Sequence, residues 1–276
     1  MKASEALDWL QAKGSESVAR IYRRHGVADE PLGVKYSDIA TLVKKLGAGT
    51  DVAKELWKTG FHEARVVATK VADAVTPQDL ETWLAGTRDG ALAGALAGLA
   101  ARLPNASEVA AAWIDRPGEW ATTTGWNLYS VLAQEGRLTE KEGEKLLQRI
   151  RQSLHEAPNR TRHAMNGTLI AIGGTIASLR EAALAAAAKI GRVEVDHGET
   201  GCITPDAPTY IAKMWDRAAG KVQGRATHGA MKAPPPPKKA PQQKAAKASG
   251  EAKGGKKPAA KKAAPGKKRA PKPRSR

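Results

Sequence analysis

The sequence is poor in cysteine and has no long apolar run. Cys202 is the single cysteine among 276 residues, which excludes an internal disulfide framework and fits a reducing compartment. The first residues, MKASEALDWLQAKGSES, contain no apolar stretch of signal-peptide length. No segment approaches the roughly 18 apolar residues of a membrane span. These absences predict a soluble, cytoplasmic protein that does not use a membrane.

Acidic residues are almost missing from the C-terminal part of the chain. Residues 220–276 hold 18 of the 45 Lys and Arg residues but only one of the 28 Asp and Glu residues, Glu251. This segment therefore carries the whole formal charge of +17, and residues 1–219 are formally neutral. Its composition of Lys, Ala, Pro and Gly lacks the apolar side chains that would offset the entropy of ordering. We expect a folded domain over 1–219 and a disordered basic tail over 220–276.

The tail composition resembles that of linker-histone and bacterial nucleoid-protein tails. Each phosphate neutralised by Lys or Arg releases counterions and adds affinity without reading sequence, so we expect the tail to bind DNA. RNA, an anionic membrane surface and a solubilising role are the alternatives, although the tail has no bulky apolar residues for membrane insertion. The strongest candidates for phosphate contact are Lys256, Lys257, Lys261, Lys262, Lys267, Lys268 and Arg269.

Strand-like alternation is rare in residues 1–219, where apolar residues recur with helical spacing. Short connections indicate antiparallel helix pairs, and comparable pairs follow one another at 50–74, 77–102, 105–133, 139–173 and 177–219. This step lies in the range of HEAT-like repeats. We therefore predict an all-α HEAT-like α-solenoid whose concave face is lined by the second helix of each pair. These second helices are expected to begin near His62, Ala91, Trp120 and Arg160, and the last helix at Pro205 behind a Thr204 cap.

Five strings of this sequence match a known family. They are GVKYSDIATLVKKLG, ELWKTGFHEARVVATKVAD, LAGLAARLP, NRTRHAMNGTLIAIGG and GRVEVDHGETGCITPDAPTYIAK. Together they resemble the DNA alkylation repair family of HEAT-like-repeat proteins over roughly residues 18 to 218. The best-known members are bacterial alkylpurine DNA glycosylases. The resemblance implies that duplex DNA lies in the concave face, where a carboxylate stabilises the positive charge that develops on the sugar as the alkylated base departs.

The helix GALAGALAGL lacks the side chains that this chemistry needs. In active members an acid and a tryptophan lie four residues apart on the corresponding helix, at positions that match Gly94 and Gly90. A second tryptophan would fall near Gly167, and a basic residue is replaced by Thr122 or Thr123. The resemblance therefore implies a protein that binds DNA, including alkylated or distorted duplex, without glycosylase catalysis.

Three other interpretations stay open at this point. Asp89 could act as a displaced acid in an active glycosylase, with an aromatic pocket re-created by tryptophans at other positions. The small residues of ALAGALAGLA could also permit close approach of neighbouring helices, and this interpretation is compatible with the loss of the catalytic side chains. A protein-binding scaffold is the third interpretation, because residues 1–219 carry no net charge. The tryptophans in question are Trp83, Trp120 and Trp126.

Candidate phosphate contacts cluster at the predicted start of one second helix, in NRTRHAMN. Arg160 and His163 share one helix face, and Asn159, Arg162 and Asn166 share an adjacent one. Arginines at a helix start add to free backbone N–H groups and the positive end of the helix dipole. Ion pairs with the next repeat are the alternative for these arginines. Further candidates are His62 and Arg65, unless Arg65 and Glu63 form pairs between repeats, together with Arg23, Arg24, Lys44 and Lys45.

The string VEVDHGETGC contains four residue types that can bind metals, namely Asp196, His197, Glu199 and Cys202. Their spacing is irregular and hard and soft ligands are mixed, which favours a structural loop over a metal site. We expect a monomer without metal or cofactor, with duplex DNA as its partner and the nucleoid as its location.

Overall fold

The computed structural model describes residues 1–220, and the tail candidates lie outside these residues. The described part of the chain consists of helices joined mostly by short connections, with longer ones at 25–35 and 191–206 and one isolated bridge between Glu30 and Phe61. The helices are α1 Ala3–Lys13, α2 Glu16–Arg24, α3 Tyr36–Leu46, α4 Thr50–Lys58, α5 His62–Val71, α6 Pro77–Gly86, α7 Gly90–Ala100, α8 Ala106–Ile114, α9 Glu119–Gln134, α10 Glu140–Ser153, α11 Asn159–Thr175, α12 Arg180–Ile190 and α13 Ala207–Ala218.

The predicted helix pairs are confirmed. Helices α4 to α13 form five successive pairs, and the second members α5, α7, α9, α11 and α13 pack side by side in chain order. Four of these second helices begin at His62, Gly90, Glu119 and Asn159, within one residue of the predicted starts. The chain therefore builds a two-layer array in which each second helix contacts the second helix of the next pair.

The predicted start of the last helix is wrong. Asp206, not Thr204, caps α13, and its carboxylate accepts from the backbone N–H of Thr209 at 3.1 Å. The sequence TPDAP contains two prolines, and the second of them, Pro208, occupies the first turn, where its missing N–H is not needed. Asp and Thr are both favourable N-cap residues, so the sequence is compatible with a helix start at either position.

A ladder of threonine hydroxyls joins α9 to α11. Thr161, Thr168 and Thr175 are spaced seven residues apart on α11. Each hydroxyl donates to a backbone carbonyl of α9, at Glu119 (3.1 Å), Trp126 (2.7 Å) and Ala133 (3.0 Å) respectively. The accepting residues are also seven apart, so the two helices run alongside each other in a fixed register. The same offset of 42 residues continues to α13, where the indole N–H of Trp215 donates to the carbonyl of Gly173 at 2.9 Å.

Two glycines, Gly173 of α11 and Gly125 of α9, lie where these helices approach their neighbours closely. A Cβ placed on Gly173 would lie 2.6 Å from Cδ1 of Ile211 and 2.7 Å from Cβ of Ala183. A Cβ on Gly125 of α9 would lie 2.8 Å from the backbone nitrogen of Ile114. All three distances are shorter than real Cβ contacts, so these two glycines let neighbouring helices touch.

Glu63 of α5 holds the connection between α2 and α3 through hydrogen bonds to its backbone. The carboxylate of Glu63 is fully buried and accepts from the backbone N–H groups of Leu32 (2.9 Å), Gly33 (2.7 Å) and Val34 (2.9 Å). Gly33 has a φ of +80°, and a Cβ there would lie 2.0 Å from the carbonyl oxygen of Ser15. Three amide donors stabilise a buried carboxylate, so Glu63 serves the fold.

The core is continuous along the described chain and includes several tryptophans. Trp57 and Trp83 stack with their ring centroids 4.7 Å apart and their planes at 7°. Trp113 and Trp126 are also buried. Among the described residues no single helix is long and apolar enough to cross a membrane, and one bent pair, α11 with Ala177–Ile190, qualifies only by length and composition.

The threonine ladder predicts the effect of replacing its central rung. Thr168→Val keeps the shape but removes the hydroxyl that α9 and α11 share, so the free energy of unfolding should fall by about 1–2 kcal/mol. Thr82→Val is the matched control, because the exposed Thr82 hydroxyl bonds only within its own helix, to the carbonyl of Gln78 at 2.9 Å. Urea unfolding of both variants measures the difference. Equal losses in the two variants would show that the ladder does not join the helices.

Candidate nucleic-acid interface

Helix α7 presents an open stripe of glycines. Asp89 caps the helix, and its Oδ1 accepts from the backbone N–H of Leu92 at 2.8 Å. The leucines of the helix point into the core, whereas Gly90, Gly94 and Gly98 follow one another at four-residue intervals on another face. A Cβ built on any of the three meets nothing within 4 Å. The glycines of this stripe therefore do not mediate close helix approach, whereas the buried small residues of the same helix, Ala93, Ala97 and Ala100, do face the packed interior.

The other two positions matched to functional side chains also lack them. Gly167 of α11 has nothing within 4 Å of its Cβ position. Thr122 and Thr123 on α9 point their hydroxyls at the hydroxyl of Thr161, at 2.7 and 3.2 Å. These threonines extend the contact between α9 and α11 where active family members are expected to have a basic residue. The side chains implied by the resemblance are absent, and space for them remains at Gly90, Gly94 and Gly167.

Asp89 is enclosed by the fold. Its side chain is 1% exposed, and Oδ2 faces Nδ1 of the fully buried His62 at 3.4 Å. Neither ring nitrogen of His62 has a hydrogen-bond partner among the described residues. The structure thus places the candidate acid and the candidate phosphate ligand His62 together in the interior between α5 and α7, away from any surface that DNA could reach.

The proposed replacement tryptophans belong to the core. Trp83 and Trp126 are each 2% exposed, and Trp126 packs beside Tyr129 with 6.2 Å between ring centroids. Trp120 is half-buried at the start of α9. Two of the three tryptophans cannot line an open base pocket, which removes the aromatic part of the displaced-acid alternative.

Arg65 ties together three parts of the chain. Its guanidinium donates to the carboxylate of Asp29 at 2.6 Å and to the carbonyl of Gly86 at 3.2 Å, and its Nε–H donates to the carbonyl of Trp57 at 3.3 Å. The guanidinium also lies over the Trp57 ring, 5.1 Å from its centroid. A guanidinium with this many partners is a structural connector, so the structure favours the pairing interpretation of Arg65 over phosphate contact.

The face of α11 that carries Asn159, Arg162 and Asn166 holds the segment 191–206. The Asn159 side chain exchanges two hydrogen bonds with the backbone of Asp196, at 2.8 and 2.7 Å. Arg162 donates to the carbonyl of Glu194 at 2.8 Å, and Asn166, which is 1% exposed, donates to the carbonyl of Pro205 at 2.9 Å. Arg162 and Asn166 therefore position this segment, because the donors that form these bonds point at protein carbonyls.

The adjacent face of α11 keeps Arg160 and His163. The backbone N–H of Arg160 donates to Oε1 of Glu119 at 2.6 Å, while its guanidinium forms no ion pair with an acidic side chain of the described residues. His163 lies beside His197 with 5.4 Å between ring centroids. Of the five candidates at the head of this helix, these two do not hold the segment 191–206.

The remaining basic candidates are exposed in the N-terminal part of the sequence. Lys44 and Lys45 are exposed at the end of α3, and Nζ of Lys45 lies 5.7 Å from the centroid of the Trp9 ring. Arg23 pairs with Glu16 at 2.9 Å, and Arg24 is exposed. The structure does not bring the lysines to the head of α11, so they would form a separate flanking contact. The tail candidates Lys256 to Arg269 lie outside the described residues.

The segment 191–206 is built as a structural loop. Oδ1 of Asp196 accepts from the N–H of Gly198 at 2.7 Å, and Nε2 of His197 lies 3.1 Å from the Thr204 hydroxyl. Within residues 1–220, no three His, Cys, Asp or Glu side chains converge in a way that could hold a metal ion. The sequence did not reveal that side chains of α11 hold this loop, because the partners lie 32 to 39 residues apart.

The paired helices and the side-by-side row of second helices define a HEAT-like helical-repeat protein. Residues 6–211 match the family model described as DNA alkylation repair enzyme, and the chain belongs to this family. It is 31% identical to an uncharacterized protein of Listeria innocua and 30% identical to one of Listeria monocytogenes, in each case over 216 residues, 75% of this chain and 95% of the relative. The resemblance stated from the sequence is thereby confirmed.

A solved structure extends the comparison to the fold. It superimposes with a TM-score of 0.73 at 27% identity, over 79% of this chain and 95% of the other. That structure represents a new family of proteins related to the HEAT-like repeat DNA glycosylases with affinity for branched DNA structures. The predicted all-α HEAT-like fold is confirmed by this match.

The open glycine stripe predicts opposite effects for two Gly→Ala substitutions. Gly94→Ala should raise the free energy of unfolding by about 0.5–1 kcal/mol, because the methyl group meets only open space and alanine is the better helix former. Gly125→Ala is the control in a packed helix and should lower it by about 1–3 kcal/mol, because its Cβ would overlap Ile114. Thermal or urea unfolding measures both. A destabilising Gly94→Ala would mean that the stripe is covered.

Proposed function

We propose that this protein binds branched or distorted DNA on the face formed by α7, α9 and α11 and does not excise bases. The observation that carries the proposal is the open glycine stripe of α7 in a chain that belongs to the DNA alkylation repair family. The affinity for branched DNA described for the structurally similar family supports the choice of DNA structure.

Base excision by the family mechanism needs an anion beside the sugar. Stabilisation is largest when the anion is already fixed where positive charge develops, and a glycine at position 94 supplies none. Asp89 does not substitute for it, because its side chain is 1% exposed and both oxygens face groups of the protein, Leu92 N–H and His62. Asp89 is therefore not an accessible carboxylate for the displaced-acid glycosylase.

The absence of side chains at Gly90, Gly94 and Gly167 also favours branched over regular DNA. Proteins that open a duplex insert bulky side chains to separate bases, and this stripe has none to insert. Such a face would select DNA that is already bent or opened, because the protein then does not have to supply the free energy of deforming it. The preference for branched DNA would thus come from shape.

We assign most of the affinity for DNA to residues 220–276 and the preference for branched DNA to residues 1–219. Residues 1–219 are formally neutral, whereas 220–276 carry a formal charge of +17, so counterion release from the tail would supply most of the affinity. This term does not depend on branching. The proposed cellular setting is the nucleoid in the cytoplasm, with duplex DNA or RNA competing for the tail.

The proposal predicts tighter binding to a four-way junction than to a linear duplex with the same number of phosphates. Equal phosphate numbers keep the electrostatic contribution equal, so any difference in Kd reports shape. We expect a lower Kd for the junction by fluorescence anisotropy near physiological salt, and equal Kd values for alkylated and unmodified duplex. Equal Kd values for junction and duplex would contradict the shape preference.

A chain that ends at residue 219 is the control for the tail. It should bind both DNAs more weakly and with a shallower salt dependence, while the ratio of the two Kd values stays the same. Thermal stability should be unchanged. If this shorter chain does not bind DNA but still binds a protein partner, the scaffold alternative gains support. The proposal that the folded residues contact DNA would then be wrong.

A further inference from the structure

Three distant parts of the chain meet at the head of α11. Sγ of Cys202 lies 3.9 Å from Nδ1 of His25, which follows α2. Nη2 of Arg160 lies 3.6 Å from the Cβ position of Gly26, and the carbonyl oxygen of Arg24 lies 3.5 Å from the Cβ position of Gly198. We refer to residues 24–26, Arg160, His163 and 196–202 as the junction cluster. It joins a segment after the second helix to a segment before the last helix of the described chain.

The polar groups of the junction cluster are incompletely paired. The His163 and His197 rings meet edge to face at 89°, with Nε2 of His197 3.1 Å from the Thr204 hydroxyl. Nδ1 of His163 is buried and has no hydrogen-bond partner in the described chain. A buried polar atom without a partner costs free energy, which is recovered when a ligand or ordered water supplies one.

With its histidines neutral the junction cluster carries no formal net charge, because it contains two arginines, Arg24 and Arg160, and two acids, Asp196 and Glu199. Burial, then His197 and Arg160, lower the pKa of His163 below its ordinary value of 6.5. Burial and Arg160 lower the pKa of His197, and Asp196 opposes this shift. Both rings are therefore neutral at neutral pH.

Within the described residues, none of the acids of this region, Asp196, Glu199 and Glu119, forms an ion pair with Arg160. Asp196 accepts from the backbone of its own loop, and Glu119 of α9 accepts from the backbone N–H of Arg160. From the segment after α2, the facing titratable group is His25. The guanidinium of Arg160 thus lies at the start of a 17-residue helix, and no acidic side chain of residues 1–220 forms an ion pair with it.

We propose that the junction cluster binds one DNA phosphate through Arg160, His163 and His197, and that the two rings take up protons when the phosphate is bound. The proposal rests on the proposed DNA-binding function and names a contact within it. A phosphate would pair with the guanidinium, face the positive end of the α11 dipole and contact the part-exposed ring of His163, whose Nδ1 is itself buried. Two chain segments far apart in sequence must be folded together for this site to exist.

Proton uptake sets the sign of the pH dependence. The phosphate charge stabilises the protonated rings, so the pKa values of His163 and His197 are higher in the complex than in the free protein. DNA affinity contributed by this site should therefore increase as pH falls from 7.5 to 6.0. Arg160 stays charged throughout and supplies the part of the contact that does not depend on pH.

Arg160→Gln in the full chain tests the site. Loss of one phosphate contact should reduce the slope of log K against log salt by about 0.9 for a labelled four-way junction. The matched control is Arg151→Gln, which removes an exposed arginine from α10 and should leave the slope unchanged. Thermal unfolding of both variants verifies that they are folded.

The histidine contribution is tested by a second measurement. Proton NMR titration of the ring signals, with and without the junction, should show two histidines whose pKa values rise on binding, and His197→Gln should remove one of them. This titration uses the unmodified chain, so it remains decisive if a His163 variant does not fold.

The possible results separate the two proposals. If the wild-type chain binds the junction but Arg160→Gln has an unchanged salt slope, the phosphate site is wrong and the DNA-binding function stands. If the ring pKa values do not move on binding, the proton coupling is wrong. If the wild-type chain binds no DNA, the proposed function fails, and the phosphate site fails with it.

Discussion

The hydrogen-bonded packing of α9 against α11 is the interaction on which the rest of the structure depends. Three threonine hydroxyls of α11 donate to carbonyls of α9 at a constant spacing of seven residues, and Trp215 of α13 continues the same offset. Bonds to backbone carbonyls fix the register between helices in a way that apolar contacts alone do not. The open positions on α7 and α11 keep their relation to each other because α9 holds its place between them.

The small residues of this protein have two separate uses. Gly125 and Gly173 lie where neighbouring helices touch, whereas Gly90, Gly94, Gly98 and Gly167 have empty space beyond their Cα atoms. Glycine in an open helical position costs about 0.5–1 kcal/mol relative to alanine, so packing does not explain the second group. A face kept free of side chains is consistent with a DNA surface that holds its ligand without reacting with it, within a family described as DNA alkylation repair enzymes.

Helix order, pairing and the family could be predicted from the sequence. Apolar periodicity indicates the helices, and long strings such as VEVDHGETGC indicate the family, and neither signal requires tertiary contacts. The roles of individual polar residues could not be predicted in this way. Arg65 and Arg162 match phosphate ligands in type and in position near a helix start, yet their partners, Asp29 and Glu194, are fixed only by tertiary packing. The seven-residue spacing of Thr161, Thr168 and Thr175 is a signal that sequence inspection missed and that indicates a side-by-side helix contact.

Release of free bases from alkylated DNA tests the central claim most directly. Purified full-length protein would be incubated with duplex containing 7-methylguanine and 3-methyladenine, with binding to the same DNA measured on the same sample. The open glycine stripe and the buried Asp89 predict binding without release of either base. Enzymatic release of either one would contradict the account, because it would require a carboxylate at the sugar that this structure does not provide.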